Sequence, residues 1–137
     1  MTKALILMGF LLIAAPAMAE DTLFADMGGQ PGIDRIVEVS VTNYLADDRI
    51  KAVFDESNMD RVRAEFKVQF CQVAGGPCGY QGHDMTEAHR GLHLTNADFN
   101  AVVEDLQAAM EQVGVPFAVQ NRFLARLAPM QHQVVSK

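Results

Sequence analysis

Three of the four histidines lie close together in the sequence, and histidine is a side chain well suited to hold a transition metal. His89 and His93 are four residues apart, so a helix would place both imidazoles on one face, where they could bind zinc. His83 is the nearest third ligand, but its spacing is not typical of a zinc site, and Gly91 would loosen the helix. The histidines therefore leave one interpretation open, a zinc- or copper-binding helical module.

The two cysteines suggest a second kind of chemistry. Cys71 and Cys78 are seven residues apart, which on one continuous helix would separate them by ~10 Å, too far for a disulfide. Gly75-Gly76-Pro77 must interrupt such a helix, so the chain can fold back and bring the two residues together. A disulfide is favoured in an oxidising compartment, and two buried thiols are the alternative. No C-x-x-C-H motif is present, which excludes c-type haem attachment.

No catalytic constellation accompanies these residues. No serine or cysteine stands beside a histidine with a carboxylate in sequence reach, and the chain has no glycine-rich phosphate loop. The 137 residues carry a net charge of −6 without a long lysine or arginine run. That balance argues against a nucleic-acid partner, whose phosphates need a basic footprint. The length allows one domain.

The beginning of the chain has the layout of a secretory signal. A lysine precedes the apolar run 4–15, and the small residues of Ala17-Met18-Ala19 follow it. The run is too short to cross ~30 Å of hydrocarbon as a mature helix. We therefore expect residues 1–19 to be a cleaved signal peptide and residues 20–137 to form one domain, periplasmic or secreted and not embedded in a membrane.

The rest of the chain shows the apolar spacing of helices and no alternating run long enough for a sheet. The predicted elements, in chain order, are a short turn over 21–27, a helix from Pro31 to about Asp47, a turn with Phe54, a helix capped by Asp60 and ended by Gly75-Gly76, a short segment opened by Asp84, a helix from a Thr95–Asp98 capping box to Gly114, and a last helix from Pro116 that Pro129 kinks or ends. This pattern predicts an all-α domain of four sizeable helices.

From Leu23 to about Val134 the sequence resembles the group I truncated haemoglobins. The matching motifs, in chain order, are Leu23-Phe24, Met27-Gly28-Gly29, Leu45-Ala46-Asp47-Asp48, Phe54, Gly75-Gly76-Pro77, Tyr80-x-Gly82, Met85-x-x-x-His89 and Phe99. The comparison needs no gap between Leu45 and Phe99. One such motif would be weak evidence, but the ordered set is specific.

The resemblance implies a truncated globin, a two-over-two helical sandwich that holds haem b with His89 as the axial ligand of the iron. Met85 and Leu92 lie four residues before and three after His89, so they would flank its imidazole. His93 would point to solvent. The side chains implied to line the haem slot are Phe54, Val62, Phe66, Phe70, Tyr80, Met85, Leu92 and Phe99. Plain core packing is the alternative for each apolar one.

The distal side, opposite His89, departs from the family pattern. Many members place a tyrosine and a glutamine or similar donor there to hydrogen-bond dioxygen, whereas this chain has Val41, Val62 and Phe66 at those positions. None of the three can donate a hydrogen bond, so we expect oxygen to dissociate quickly while carbon monoxide binding is little affected. Tyr44 and Gln69 are the two donors that could restore the bond, and Tyr44 is the better placed. The simpler interpretation of Tyr44 is packing with its hydroxyl at the surface.

The resemblance also bears on Glu65, on covalent attachment of the haem and on the ligands that the protein binds. Glu65 stands where several members carry a basic residue near a haem propionate, or a sixth iron ligand. Some relatives attach a haem vinyl group to a histidine after an Ala-Pro pair, and here His132 follows Ala128-Pro129 one place later than expected. The resemblance implies binding of oxygen, nitric oxide or carbon monoxide. The resemblance does not decide between oxygen transport, sensing and catalysis of the nitric-oxide dioxygenase or peroxidase type. It also does not identify a redox partner.

Overall fold

Every regular element from residue 21 to residue 136, the range that the computed structural model describes, is a helix. The predicted signal peptide, residues 1–19, lies outside that range. The α-helices are α1 (Leu23–Asp26), α2 (Gly29–Ala46), α3 (Met59–Val73), α4 (Met85–Ala88), α5 (Asn96–Gln112), α6 (Phe117–Leu127) and α7 (Gln131–Val134), and short 3₁₀ turns cover Lys51–Phe54 and Ala128–Met130. The predicted all-α class, with four sizeable helices, is confirmed.

Two predicted helix starts need correction. α2 begins at Gly29 rather than Pro31, so the proline lies inside the first turn, where its missing N–H costs nothing. α3 is capped by Asn58 rather than Asp60, because the Asn58 side chain accepts a hydrogen bond from the backbone N–H of Arg61 at 3.1 Å. Asp60 instead lies in the first turn, where a carboxylate favours the helix dipole.

The predicted caps of the next two helices are confirmed. Asp84 accepts a hydrogen bond from the backbone N–H of Glu87 at 2.8 Å and starts α4. Thr95 and Asp98 form the full capping box of α5, each side chain accepting a hydrogen bond from the other residue's backbone N–H. Pro129 ends α6 only locally, since the 3₁₀ turn and α7 continue the helical path. The C-terminal segment therefore remains beside the domain.

The long helices pack as two pairs. α2 packs against both α3 and α5, α5 packs against α6, and α6 also contacts α3 and α1. This arrangement is the two-over-two sandwich expected from the resemblance. Its centre holds fully buried apolar side chains such as Ile33, Ile36, Val37 and Phe123. Between residues 21 and 136 we find no helix with the length and apolar character needed to span a membrane.

The turn after α3 brings the two cysteines together. Gly75 has φ +81°, a left-handed conformation that ends the helix and reverses the chain. The sulfur atoms of Cys71 and Cys78 then lie at disulfide distance, and the Cα atoms are 6.0 Å apart, within the bridging range. A Cβ at Gly76 would stand 2.5 Å from the Phe24 ring and 2.7 Å from the Cys71 sulfur. The turn is packed too closely for a side chain there.

Candidate functional site

One large, mostly apolar cavity lies between α3, α4, α5 and the C-terminal segment. The aromatic and aliphatic side chains of its walls come from segments distant in sequence, so only the folded chain can form it. The structure places around this cavity all eight side chains named for the haem slot: Phe54, Val62, Phe66, Phe70, Tyr80, Met85, Leu92 and Phe99. The fold brings all eight side chains to one cavity, and their contact with a cofactor stays a prediction.

His89 is the imidazole that faces this cavity, and its tautomer is set by a neighbour. It follows α4, and its Nδ1 lies 2.7 Å from the backbone carbonyl oxygen of Met85. A carbonyl only accepts hydrogen bonds, so Nδ1 carries the proton in the neutral tautomer, and the lone pair of that tautomer is on Nε2. An oriented imidazole with a free Nε2 is the arrangement that metal-ligating histidines adopt.

The other histidines do not join His89. His83 and His93 are exposed, and His93 has φ +54°, which takes the chain out of the helix that a His89–His93 pair would require. Within residues 21–136, no group of three or more His, Cys, Asp or Glu side chains is placed to hold a metal ion. The cavity instead suits a large apolar ring that needs one axial nitrogen ligand. Haem fits that description.

Tyr44 is a buried polar side chain in the cavity wall, and its hydroxyl has no hydrogen-bond partner among the described residues. Its ring stacks on Phe54, with ring centroids 5.9 Å apart, and lies 6.1 Å from the ring of Phe66. The Ser40 hydroxyl, one turn earlier, donates to the carbonyl of Ile36 at 2.7 Å. Burial raises the pKa of the Tyr44 phenol well above its usual range, so it stays protonated. A surface position for this hydroxyl was wrong.

Val41 and Gln69 occupy different places from those expected. Val41 is fully buried but does not line the cavity. It lies on α2, which packs against both α3 and α5, so the short valine side chain is covered by helix packing. Gln69 lines the cavity, yet its Nε2 lies 3.0 Å from the Met85 sulfur and therefore faces α4, the helix that His89 follows. The role of Gln69 as a donor on the distal side therefore stays a prediction. Tyr44 is the better placed of the two candidates.

Polar side chains mark the part of the cavity next to the turn after α3. Glu65 lines the cavity and forms an ion pair with Arg61, with 2.8 Å between Oε1 and Nε. The pair is solvent-exposed, so its contribution to stability is small. Tyr80 is half-buried with its hydroxyl close over Gly82, and burial raises the pKa of its phenol. Glu65 and Tyr80 thus place polar groups beside the apolar walls, as Asp98 does at the start of α5.

Sequence reasoning missed the contribution of the C-terminal segment. Leu127, Met130 and Val134 line the cavity, whereas His132 is exposed. Their spacing of three and four residues is a helical signal that could have identified them despite Pro129. The backbone N–H of Ser136 donates to the carbonyl of Leu94 at 3.0 Å and fixes the segment beside α4.

The comparisons with known proteins point to one family. Residues 22–136 match the family model of the bacterial-like globins. The group 1 truncated hemoglobin of Tetrahymena thermophila is 35% identical over 96 residues, covering 70% of this chain and 79% of that protein. The group 1 truncated hemoglobin of Synechocystis sp. is 38% identical over 99 residues, covering 69% of this chain and 80% of that protein.

Solved structures show the same relationship. The Fe(III) form of the truncated hemoglobin from Tetrahymena pyriformis gives a TM-score of 0.82 at 30% identity, covering 84% of this chain and 98% of that chain. The 2/2 hemoglobin of Synechococcus sp. with covalently attached heme gives a TM-score of 0.78 at 25% identity, with the same coverage. The chain belongs to the bacterial-like globin family, as a group I truncated globin. Its family therefore implies a haem cofactor and haem-based ligand binding, and a zinc or copper module is not favoured.

Proposed function

We propose that this chain binds haem b through His89 and uses it to bind oxygen, nitric oxide or carbon monoxide. The observation that carries the proposal is the free Nε2 of an oriented imidazole inside an apolar cavity. His89 and the apolar walls would hold the haem, which would supply an iron able to bind a small diatomic ligand. The protein's own part is to orient His89, to cover the ring with apolar side chains and to keep water away from it.

The form of the haem is part of the proposal. Covalent attachment would need His132 at the cavity wall, but that side chain is exposed while Met130 and Val134 line the cavity. We therefore propose that the ring is held without a covalent bond, by His89 and the apolar walls. This distinguishes the chain from the Synechococcus protein that carries covalently attached heme.

The compartment is proposed from two separate features of the chain. The apolar run and small residues at the N-terminus have the layout of an export signal, and the two cysteines lie at disulfide distance. We propose that the protein works in the periplasm or outside the cell. Oxygen transport and nitric-oxide chemistry are the roles that such a haem protein could have there.

A haem titration tests the proposed function. Purified protein should take up one equivalent of haem and develop a strong absorption band near ~400 nm, because a buried iron–imidazole complex forms in the cavity. The same protein should bind zinc and copper weakly, since its histidines do not converge. Tight copper or zinc binding without any haem band would contradict the proposal and support the metal module.

The buried hydroxyl of Tyr44 should slow the release of oxygen from the cavity. Its hydroxyl has no hydrogen-bond partner within residues 21–136, so an oxygen ligand would be its acceptor, and such a hydrogen bond is worth roughly 1–3 kcal/mol. We expect Tyr44→Phe to raise the oxygen dissociation rate by about 10- to 100-fold and to change carbon monoxide dissociation little. Stopped-flow measurement of both rates checks this.

Tyr80 provides the matched control for that experiment. It is the other tyrosine of the chain and also lines the cavity, but its hydroxyl lies over Gly82 and it is only half-buried. Tyr80→Phe keeps the ring in the cavity wall and should change the oxygen rate far less than Tyr44→Phe. Equal rates for the parent and Tyr44→Phe would mean that the distal pocket works without a hydrogen bond from this residue.

A further inference from the structure

Gln69 makes an unusual contact for a side chain in an apolar cavity wall. Its amide Nε2 lies 3.0 Å from the sulfur of Met85 and 3.9 Å from the sulfur of Met130. A thioether is a weak acceptor, and a half-buried amide gains little from it compared with water. The amide nevertheless reaches from α3 to sulfur atoms on two other segments. Its position connects three of the segments that surround His89.

Met85 is also the residue that holds the imidazole. Its backbone carbonyl oxygen accepts the hydrogen bond from Nδ1 of His89 at 2.7 Å. Met85 is therefore in contact with α3 through its side chain and with the imidazole through its backbone. A shift of this one residue would move the ring that faces the cavity.

The helix that contains Met85 cannot hold its own orientation well. α4 has only four residues, and an isolated helix of that length is unstable in water. Gly91, with φ +79°, turns the chain away three residues after the end of α4. Packing against neighbouring elements must therefore fix α4, and the Gln69–Met85 contact is the polar part of that packing. The Met130 contact adds the C-terminal segment to the same point.

We infer that Gln69 is a positioning residue for His89, acting through Met85 rather than on the ligand. The amide fixes Met85 against α3, and the Met85 carbonyl in turn fixes the ring plane of His89 and the direction of Nε2. This rests on the proposed function, because it concerns the imidazole that would bind the haem iron. It gives Gln69 a role on the His89 side of the cavity, in place of the distal role expected from the sequence.

The first test compares Gln69→Leu and the longer Gln69→Met with Gln72→Leu, an exposed glutamine three residues later on α3. The iron–histidine stretching band of the ferrous haem protein, measured by resonance Raman, should shift or broaden in both Gln69 variants. Transfer of haem to an apo-globin acceptor should be roughly three- to tenfold faster, the effect of one lost hydrogen bond. Gln72→Leu should match the parent in both measurements. A parent-like band and rate in the Gln69 variants would overturn the inference.

A double-mutant cycle with Met85→Leu identifies the route of the effect. Met85→Leu removes the sulfur but keeps the carbonyl that holds His89, so it should reproduce the Gln69→Leu band. The double variant should then be no worse than either single variant. Additive effects would mean independent packing roles and would contradict the inference. The parent tests the proposed function separately, since a parent without an iron–histidine band overturns both.

Discussion

Replacing His89 with glycine should abolish stable haem binding. His89 is the imidazole in the cavity, and its Nε2 is freed for coordination by the Nδ1 bond to the Met85 carbonyl. Without it, the iron has no protein ligand within the described residues, and the apolar walls alone would hold the ring loosely. We expect the affinity for haem to fall by about 100-fold or more, measured by haem titration and by the rate of transfer to an apo-globin.

Added imidazole should restore the spectrum of this variant, because the glycine leaves space for a free ring at the same position. His93→Gly is the matched control: its side chain is exposed and outside the cavity, so its spectrum should equal that of the parent. If His93→Gly lost haem while His89→Gly retained it, the assignment of the iron ligand would be wrong. Failure of imidazole to restore the spectrum would mean that the variant had lost the shape of the cavity.

Loss of the link between Cys71 and Cys78 should destabilise the folded chain by roughly 2–3 kcal/mol, because a short closed loop restricts the unfolded chain. This corresponds to about a 30- to 150-fold change in the folding equilibrium. The double variant Cys71→Ser/Cys78→Ser should unfold at lower denaturant concentration than the oxidised parent. Chemical denaturation followed by circular dichroism measures the difference.

Adding a reductant distinguishes the effect of the disulfide bond from the effect of the two substituted side chains. It should lower the stability of the parent toward that of the double variant and leave the double variant unchanged. Mass spectrometry after alkylation of the folded, oxidised protein should find no modified cysteine. Two alkylated thiols in that sample would show that Cys71 and Cys78 are not joined, although they lie at disulfide distance.

Interactions between residues that are close in the sequence could be predicted from the sequence alone. The Thr95–Asp98 capping box, the Asp84 cap and the turn at Gly75 appear where the pattern predicted them, because each depends on hydrogen bonds or backbone angles within one turn. The Cys71–Cys78 pairing follows from the same turn. The start of α3 differs from the prediction because Asn58 and Asp60, two residues apart, are both possible caps, whereas α2 begins two residues early at Gly29 without any side-chain cap.

The tertiary structure decided which side chains face the cavity. Adjacent positions on a helix differ by about 100° in direction, so small differences in how α2 packs against α3 and α5 select Tyr44 for the cavity wall and leave Val41 between helices. Gln69 contacts Met85 only because the folded chain brings the start of α4 within reach of α3. The sequence by itself determined the helices, because these depend on local pattern, and its resemblance to the truncated haemoglobins identified His89 as the candidate ligand. The direction of each side chain in the cavity depends on contacts between distant segments, which only the folded chain establishes.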